Sequence, residues 1–486
     1  IVGAGLAGLA CADALSKAGI AATLYEAHPN RVGGRCFSDR DTFPGQVAEN
    51  GGELIDTGHK TMLGFARQLG LAVENLERSP GEDTYHFFGQ HYGEDEVVEQ
   101  YRVMVARMRA DLQSISGAPS VFDHTAADVA LDNTDLGTYL ETRGAGLPLI
   151  QAVLAEAYVA EYGLETDRQS CLNMLLYLHL DRRRHFAEFG VFSDERYHVA
   201  GGNDAIATGL ADRIPGTIHR GAKLSALARN ASGEYELSFN GGAPSERADA
   251  VVMAIPFSVL RGVALDASLG LSADKRRAIA ELGYGTNAKT MIGFDRRVWT
   301  EQGRNGLIYS DRPNVQNVWE TNWSRSPGTG ILTDYSGGDR GSALQRNPAG
   351  SSGCSGCHDG APTNAVLNPD GTAWIDGQGE DFLRDLEAIW PGAAAAASRN
   401  TNGSLVLQRG HWYPQAYSKG SYTCYLPGQF TSVAGLEGES AGGLKFAGEH
   451  ADSFYAWQGF MEGACNSGIA AASELLRDIK AGRLPG

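Results

Sequence analysis

The chain has 486 residues, 42% of them hydrophobic and 20% charged, with a formal net charge of -17. That length exceeds one ordinary core and calls for two or more domains around a shared site, and the composition excludes a disordered polymer. The acidic balance removes the basic face that nucleic acid binding needs, and no apolar run reaches the roughly 18 residues that span a bilayer.

In chain order, Ile1-Val2 closes a strand, Gly3-Ala4-Gly5-Leu6-Ala7-Gly8 forms a tight turn, and a helix runs on through Leu15 to Gly19. Gly3 allows the turn, Gly5 lets backbone amides approach a diphosphate, and Gly8 lets the helix close on the strand. Ile20 to Tyr25 alternates as a second strand ending on Glu26, at the spacing from which a carboxylate accepts hydrogen bonds from an adenosine ribose. Arg31-Val32-Gly33-Gly34-Arg35 adds a second glycine turn with cations beside the diphosphate, which favours FAD over a nicotinamide dinucleotide. Because Ile1 already lies inside an apolar strand, an upstream segment is expected, and localisation stays open between cytoplasmic and exported.

Helical periodicity follows, with Asp95 to Leu112 and Leu147 to Tyr162 expected to roof a pocket and form its entry path. Cys354-Ser355-Gly356-Cys357-His358 has the letters of a haem-attachment motif. With no methionine between Met291 and Met461 to serve as a local axial ligand, it reads first as a disulfide or free thiols, second as a haem site and third as a zinc site short of a fourth ligand. No metal is expected. The seven cysteines are scattered, odd in number and too few to staple a chain of this length. Gly459 to Ile479 has helical apolar spacing, and its electropositive N-terminus would stabilise negative charge arriving on a flavin ring.

Glu26, the Arg31 to Arg35 turn and Glu49-Asn50-Gly51-Gly52-Glu53-Leu54-Ile55-Asp56 together resemble the flavin-containing amine oxidases. The resemblance returns at Phe446-Ala447-Gly448-Glu449-His450 and at Trp457-Gln458-Gly459-Phe460-Met461-Glu462-Gly463-Ala464, similar to the family's closing flavin-binding strand and helix. Between them, Gly201-Gly202-Asn203 opens a further nucleotide-domain segment, and Ala250 to Pro256 looks like the buried strand beside the cofactor.

The resemblance implies FAD held by Gly3, Gly5, Gly8, Glu26, Gly33, Gly34, Arg35, Gly51, Gly52, Glu53, Pro256, Gly448, Glu449, Gly459, Phe460 and Met461. It implies that Tyr422 and Phe460 are facing rings before the flavin, that Trp412 covers the ring or lines the slot, and that Lys289 holds a water against flavin N5. Ser421 stands where monoamine oxidases carry the cysteine that tethers the flavin, so binding is expected to be non-covalent. Leu54 stands where several L-amino acid oxidases place a carboxylate-binding arginine, which favours a plain amine. Arg182 to Arg184 are the alternative carboxylate ligands.

The expected fold is α/β, with a Rossmann-like doubly wound FAD-binding domain (1–75, 199–286, 436–486), a helical subdomain (91–198) and an inserted mixed-sheet substrate domain (76–90, 287–435). The expected reaction is oxidation of an amine or L-amino acid to an imine, hydrolysed to an aldehyde or keto acid with ammonia, while O2 becomes hydrogen peroxide. Two alternatives stand: an amine dehydrogenase passing electrons to a haem protein, and a flavin-binding scaffold without turnover. The partner is then a small amine or amino acid, with no nucleic acid and no membrane span, and a homodimer is compatible with the chain.

Overall fold

A computed structural model describes residues 1–76, 80–180, 193–240, 245–321, 328–344, 374–452 and 457–484. Its nucleotide half is a parallel sheet in which the first residues of the chain lie at the centre. Strand Leu24–Glu26 pairs with Ile218–Arg220 on one side, Val2 bridges Tyr25 and Met253, and strand Val251–Met253 pairs with Leu444–Phe446. Alternation decides what each face buries. Val252 packs with Ala7, Cys11, Leu15, Ala471 and Leu475 of helices Leu6–Lys17 and Met461–Lys480. Val251 and Met253 pack instead with Leu227, Tyr235 and Leu237, from a four-stranded sheet in the order Glu246–Ala248, Tyr235–Phe239, Leu224–Arg229, Ala264–Leu265. The two helices lie close enough that a Cβ on Gly468 would sit 2.1 Å from the Ala7 carbonyl oxygen.

The other half is a seven-stranded mixed sheet in the order Leu407–His411, Ala288–Phe294, Gly330–Ser336, Val315–Glu320, Arg304–Arg312, Glu82–Phe87, Gln90–Tyr92. One face is backed by Phe382, Leu386 and Trp390 beneath Ile292, Phe294 and Leu332. Helices Pro148–Tyr162 and Glu94–Ser114 pack on the opposite side, with Ala126–Asp132, Leu136–Arg143 and Leu172–Leu180 packed on those helices, and Leu154 and Tyr158 join Tyr85, Phe87 and Tyr309 in one core. Local chemistry sets their ends: Thr125 and Asp128 form a capping box, and Gly163 closes Pro148–Tyr162 in the left-handed conformation at φ 73°.

Several bounds differ from the sequence reading. The second strand is only Leu24–Glu26, and the first helix stops at Lys17 because Ala18 and Gly19 turn back onto Leu15 and Ser16. The long roof helix spans Glu94–Ser114. Arg182 to Arg184 and the Cys354 to His358 motif lie outside the described residues.

Candidate active site

A cavity of about 860 Å³ runs from the glycine turn of the parallel sheet to the seven-stranded sheet. At its nucleotide end three glycines fail differently when given a side chain. Gly3 sits at φ 98° with its Cβ position 2.6 Å from the Ala254 carbonyl oxygen, and a Cβ on Gly8 would lie 2.0 Å from the Gly3 oxygen. Gly5 is different: the nearest protein atom to its Cβ position is Gly34 Cα at 3.8 Å, so the glycine leaves space in the cavity. Backbone fold does not require glycine there, and the close approach of a diphosphate would.

Glu26 knits this turn together, accepting from the Ala4 amide at 2.8 Å and the His28 amide at 2.7 Å. Burial pushes its carboxyl pKa up, and these two amides pull it back. Its remaining lone pairs, on the cavity wall, are the ones open to a ribose. The second turn docks against the first through Gly33 N–H to the Ala4 oxygen at 2.8 Å, and Arg31 donates to the Gly34 oxygen at 2.6 Å. Arg35 reaches across to the Ser421 oxygen at 2.6 Å and to Glu449 at 3.1 Å, while Glu449 also accepts from Thr423 Oγ1 at 2.8 Å. Gly448 packs on the His450 ring, and Pro256 opens the short helix Phe257–Leu260 on the same wall.

The segment between Glu49 and Glu53 joins the two halves. Trp412 donates to the Asn50 oxygen at 2.8 Å, and a Cβ on Gly51 would lie 1.7 Å from the Arg35 oxygen. Gly52 is covered by the Met461 thioether, 2.6 Å from its Cβ position. Lys289 is buried on an interior strand between Leu407–His411 and Gly330–Ser336, so a solvated edge does not account for it. Its ammonium donates to Glu53 Oε2 at 2.5 Å and to the Gly51 and Glu49 oxygens at 2.9 and 3.2 Å. An ammonium has three protons, so the expected hold on a water requires one of these contacts to open. Trp319 Nε1 donates to the other Glu53 oxygen at 3.0 Å.

Glu49 is the strained member. Burial raises its carboxyl pKa to about 8 despite hydrogen bonds from the Asn203 amide and Ser38. A carboxyl whose folded pKa lies above its unfolded value favours the fold while protonated, and that contribution disappears as pH rises from about 4.5 to about 8. Glu49→Gln, whose amide oxygen can accept from the Asn203 amide while its NH2 donates to the Ser38 hydroxyl, therefore gains thermal stability over the parent across that window and shows no such gain below it; melting temperatures of both proteins against pH check this.

In front of these groups stand the aromatic residues. The Tyr422 hydroxyl donates to the Glu161 carbonyl oxygen and accepts from Tyr335 at 3.1 Å; burial pushes its pKa well up, so it stays neutral. Gly459, at φ 89°, brings the next turn to Tyr422, with its Cβ position 3.7 Å from that ring. Phe460 packs edge-on against His59 and Trp457, at centroid distances of 5.3 and 5.7 Å. Helix Met461–Lys480 starts here and points its N-terminus at the cavity through Met461 and Ala464. The acid of its first turn, Glu462, faces elsewhere and caps helix Lys60–Gln68 through the Thr61 and Met62 amides at 2.8 Å each. The Met461 end of the helix thus meets the cavity with no carboxylate side chain of its first turn directed into it.

Trp319, Tyr335, Asn287, Tyr177 and Glu161 also line the cavity, and the motifs did not reveal them. Strand register was the available signal for one: Tyr335 lies directly opposite Lys289. Leu54 lines the cavity as an apolar side chain.

A family model described as flavin containing amine oxidoreductase matches residues 6–349. A putative L-amino-acid oxidase, YobN of Bacillus subtilis (strain 168), is 24% identical over 98% of this chain and 94% of its own length. The flavin-dependent L-tryptophan oxidase RebO of Lentzea aerocolonigenes is 25% identical over 99% and 98%. Among solved structures, cyclohexylamine oxidase from Brevibacterium oxydans IH-35A aligns with a TM-score of 0.79 at 20% identity, covering 99% of this chain and 98% of that one. Putrescine oxidase bound to putrescine aligns with a TM-score of 0.76 at 19% identity, covering 98% of both.

Proposed function

The chain belongs to the flavin-containing amine oxidoreductase family, and on that premise we propose that it oxidises a plain amine to an imine, with O2 as the electron acceptor and hydrogen peroxide as the reduced product. The cofactor is FAD, and Ser421 offers no thiol to tether it. The observation that carries the reading is the meeting, in one cavity, of a glycine cradle shaped for a dinucleotide with a buried Lys289–Glu53 pair and an aromatic wall.

Bound FAD supplies the hydride acceptor. The residues Gly3, Gly5, Glu26, Gly33, Gly34 and Arg35 would hold its dinucleotide portion, with Gly51, Gly52, Pro256, Glu449 and Met461 nearer the ring. Lys289 ties the segment 49–53 to the sheet and would hold in place the backbone beside the ring. Tyr422, Tyr335, Trp319 and Phe460 exclude water and confine the amine, which keeps its nitrogen neutral and its carbon oriented. Leu54 offers no charge to a substrate carboxylate, which favours an amine over an amino acid.

The second reading, oxidation of an L-amino acid, is favoured by the relatives named as L-amino-acid oxidases over nearly the whole chain. Anaerobic titration of the yellow holoenzyme with simple amines and with L-amino acids separates the two. Bleaching by amines alone is the expected result, and bleaching by amino acids alone overturns the amine reading. Readmitting O2 should restore the colour with peroxide; colour restored only by a cytochrome would overturn the oxidase reading.

A further inference from the structure

Two stretches 400 residues apart meet behind the aromatic wall. His59 opens helix Lys60–Gln68, and Phe460 opens helix Met461–Lys480. Glu462 joins the two helices through the Thr61 and Met62 amides, which fixes both openings side by side.

The turn that leads into the second helix is strained. Trp457 has φ 90° and Gly459 φ 89°, a region that only glycine adopts freely. A tryptophan there must be held by its surroundings. On one side, Gln458 Nε2 donates to Tyr425 Oη at 2.9 Å and to the His450 oxygen at 3.1 Å. On the other, the Trp457 ring lies against Gly58, whose Cβ position is 2.9 Å from Cζ2, and meets the His59 ring edge-on at 4.7 Å. The same imidazole meets Phe460 at 5.3 Å. Phe460 lines the cavity, whereas His59 is wholly buried behind it.

His59 is itself locked. Its Nδ1 accepts from the Asp56 amide at 3.0 Å, and its Nε2 faces Asp56 Oδ2 at 3.3 Å. Burial lowers its pKa to about 4, so the ring is neutral and Nδ1 is able to accept. Asp56 is held from the far side, where its Oδ1 accepts from the Glu195 amide at 2.8 Å and from Ser193 Oγ at 3.2 Å.

We infer that His59 is a positioning residue for the oxidation: locked by Asp56, its ring holds Trp457 and Phe460 from behind and so sets the angle at which Phe460 confines the substrate carbon. This rests on the amine-oxidation reading. A ring that faces an open cavity takes its rotamer from what packs behind it, and a misplacement of about 1 Å at a reacting centre can lower a rate by about 100-fold.

Stopped-flow reduction of the anaerobic holoenzyme by hexylamine and benzylamine, with visible circular dichroism of the oxidised flavin, tests this. His59→Asn keeps an acceptor for the Asp56 amide but removes the half of the ring that meets Trp457 and Phe460. It should stay yellow, with an altered flavin dichroism and a limiting reduction rate lower by about tenfold or more. Gly58→Ala drives a methyl against Trp457 from another side and should act in the same direction. In a Phe460→Ala background either change should add little, because its route to the substrate is gone. A limiting rate and dichroism like the parent's in His59→Asn, whatever its melting temperature, would overturn the proposal, as would losses that multiply in the Phe460→Ala background. If one variant does not fold, the other carries the same cycle. Should neither amine reduce the parent, the oxidation reading falls while the dichroism series still decides His59: a change that vanishes without Phe460 supports it, and one that persists or never arises removes it.

Discussion

Gly5→Val should purify colourless, with the ratio of flavin to protein absorbance near zero even after reconstitution with excess FAD, and yet with a cooperative melt close to that of the parent apoprotein. Gly5 has φ -73°, which valine adopts, and no protein atom lies within 3.8 Å of its Cβ position. The added methyls therefore enter the cavity and not the core, where a diphosphate must approach the backbone amides at van der Waals distance. Gly8→Val is the contrasting control. Its Cβ would overlap the Gly3 oxygen at 2.0 Å, so that variant should lose the fold along with the colour. Full flavination of Gly5→Val would overturn the cradle.

Lys289→Met should retain FAD but lower unfolding stability by about 3–5 kcal/mol, because it leaves the Glu53 carboxylate buried without its cation. Trp319 still donates to one Glu53 oxygen, and the Gly51 and Glu49 carbonyls lose their shared donor. Adding Glu53→Gln removes the stranded charge and should restore most of the stability, while O2 consumption with an amine stays slow in both variants. Denaturant melts of the four proteins in the cycle give the coupling between the pair. Rescue of both stability and turnover by the second substitution would reduce Lys289 to a structural role.

The nucleotide half was legible because its information is local. Turn, helix and acid fall within Gly3 to Glu26, and the closing helix is readable from the spacing of Phe460, Met461, Ala464 and Ile469. The wall built by the seven-stranded sheet was not, because Trp319 and Tyr335 reach the cavity through strands that interleave residues 82–92, 288–336 and 407–411. Register in such a sheet is fixed by pairing across hundreds of residues, which no window of sequence contains. Lys289 shows the difference. Its motif identified the residue, but its partner Glu53 lies 236 positions away and emerges only from the assembled halves. The direction of Glu462 was likewise hidden, since the amides it caps belong to a helix 400 residues upstream.

Threading the opening residues through the middle of the parallel sheet has a cost during synthesis. Val2 can bond to Val252 early, but Leu444–Phe446 and the helix that seats Gly468 on Ala7 leave the ribosome long after both. Until then the nascent chain carries Ala7, Cys11 and Leu15 with one side uncovered, a sticky stripe that chaperones recognise. A ribosome stalled just short of residue 444 therefore holds a protein with most of its pocket lining made and without the strand and helix that close it.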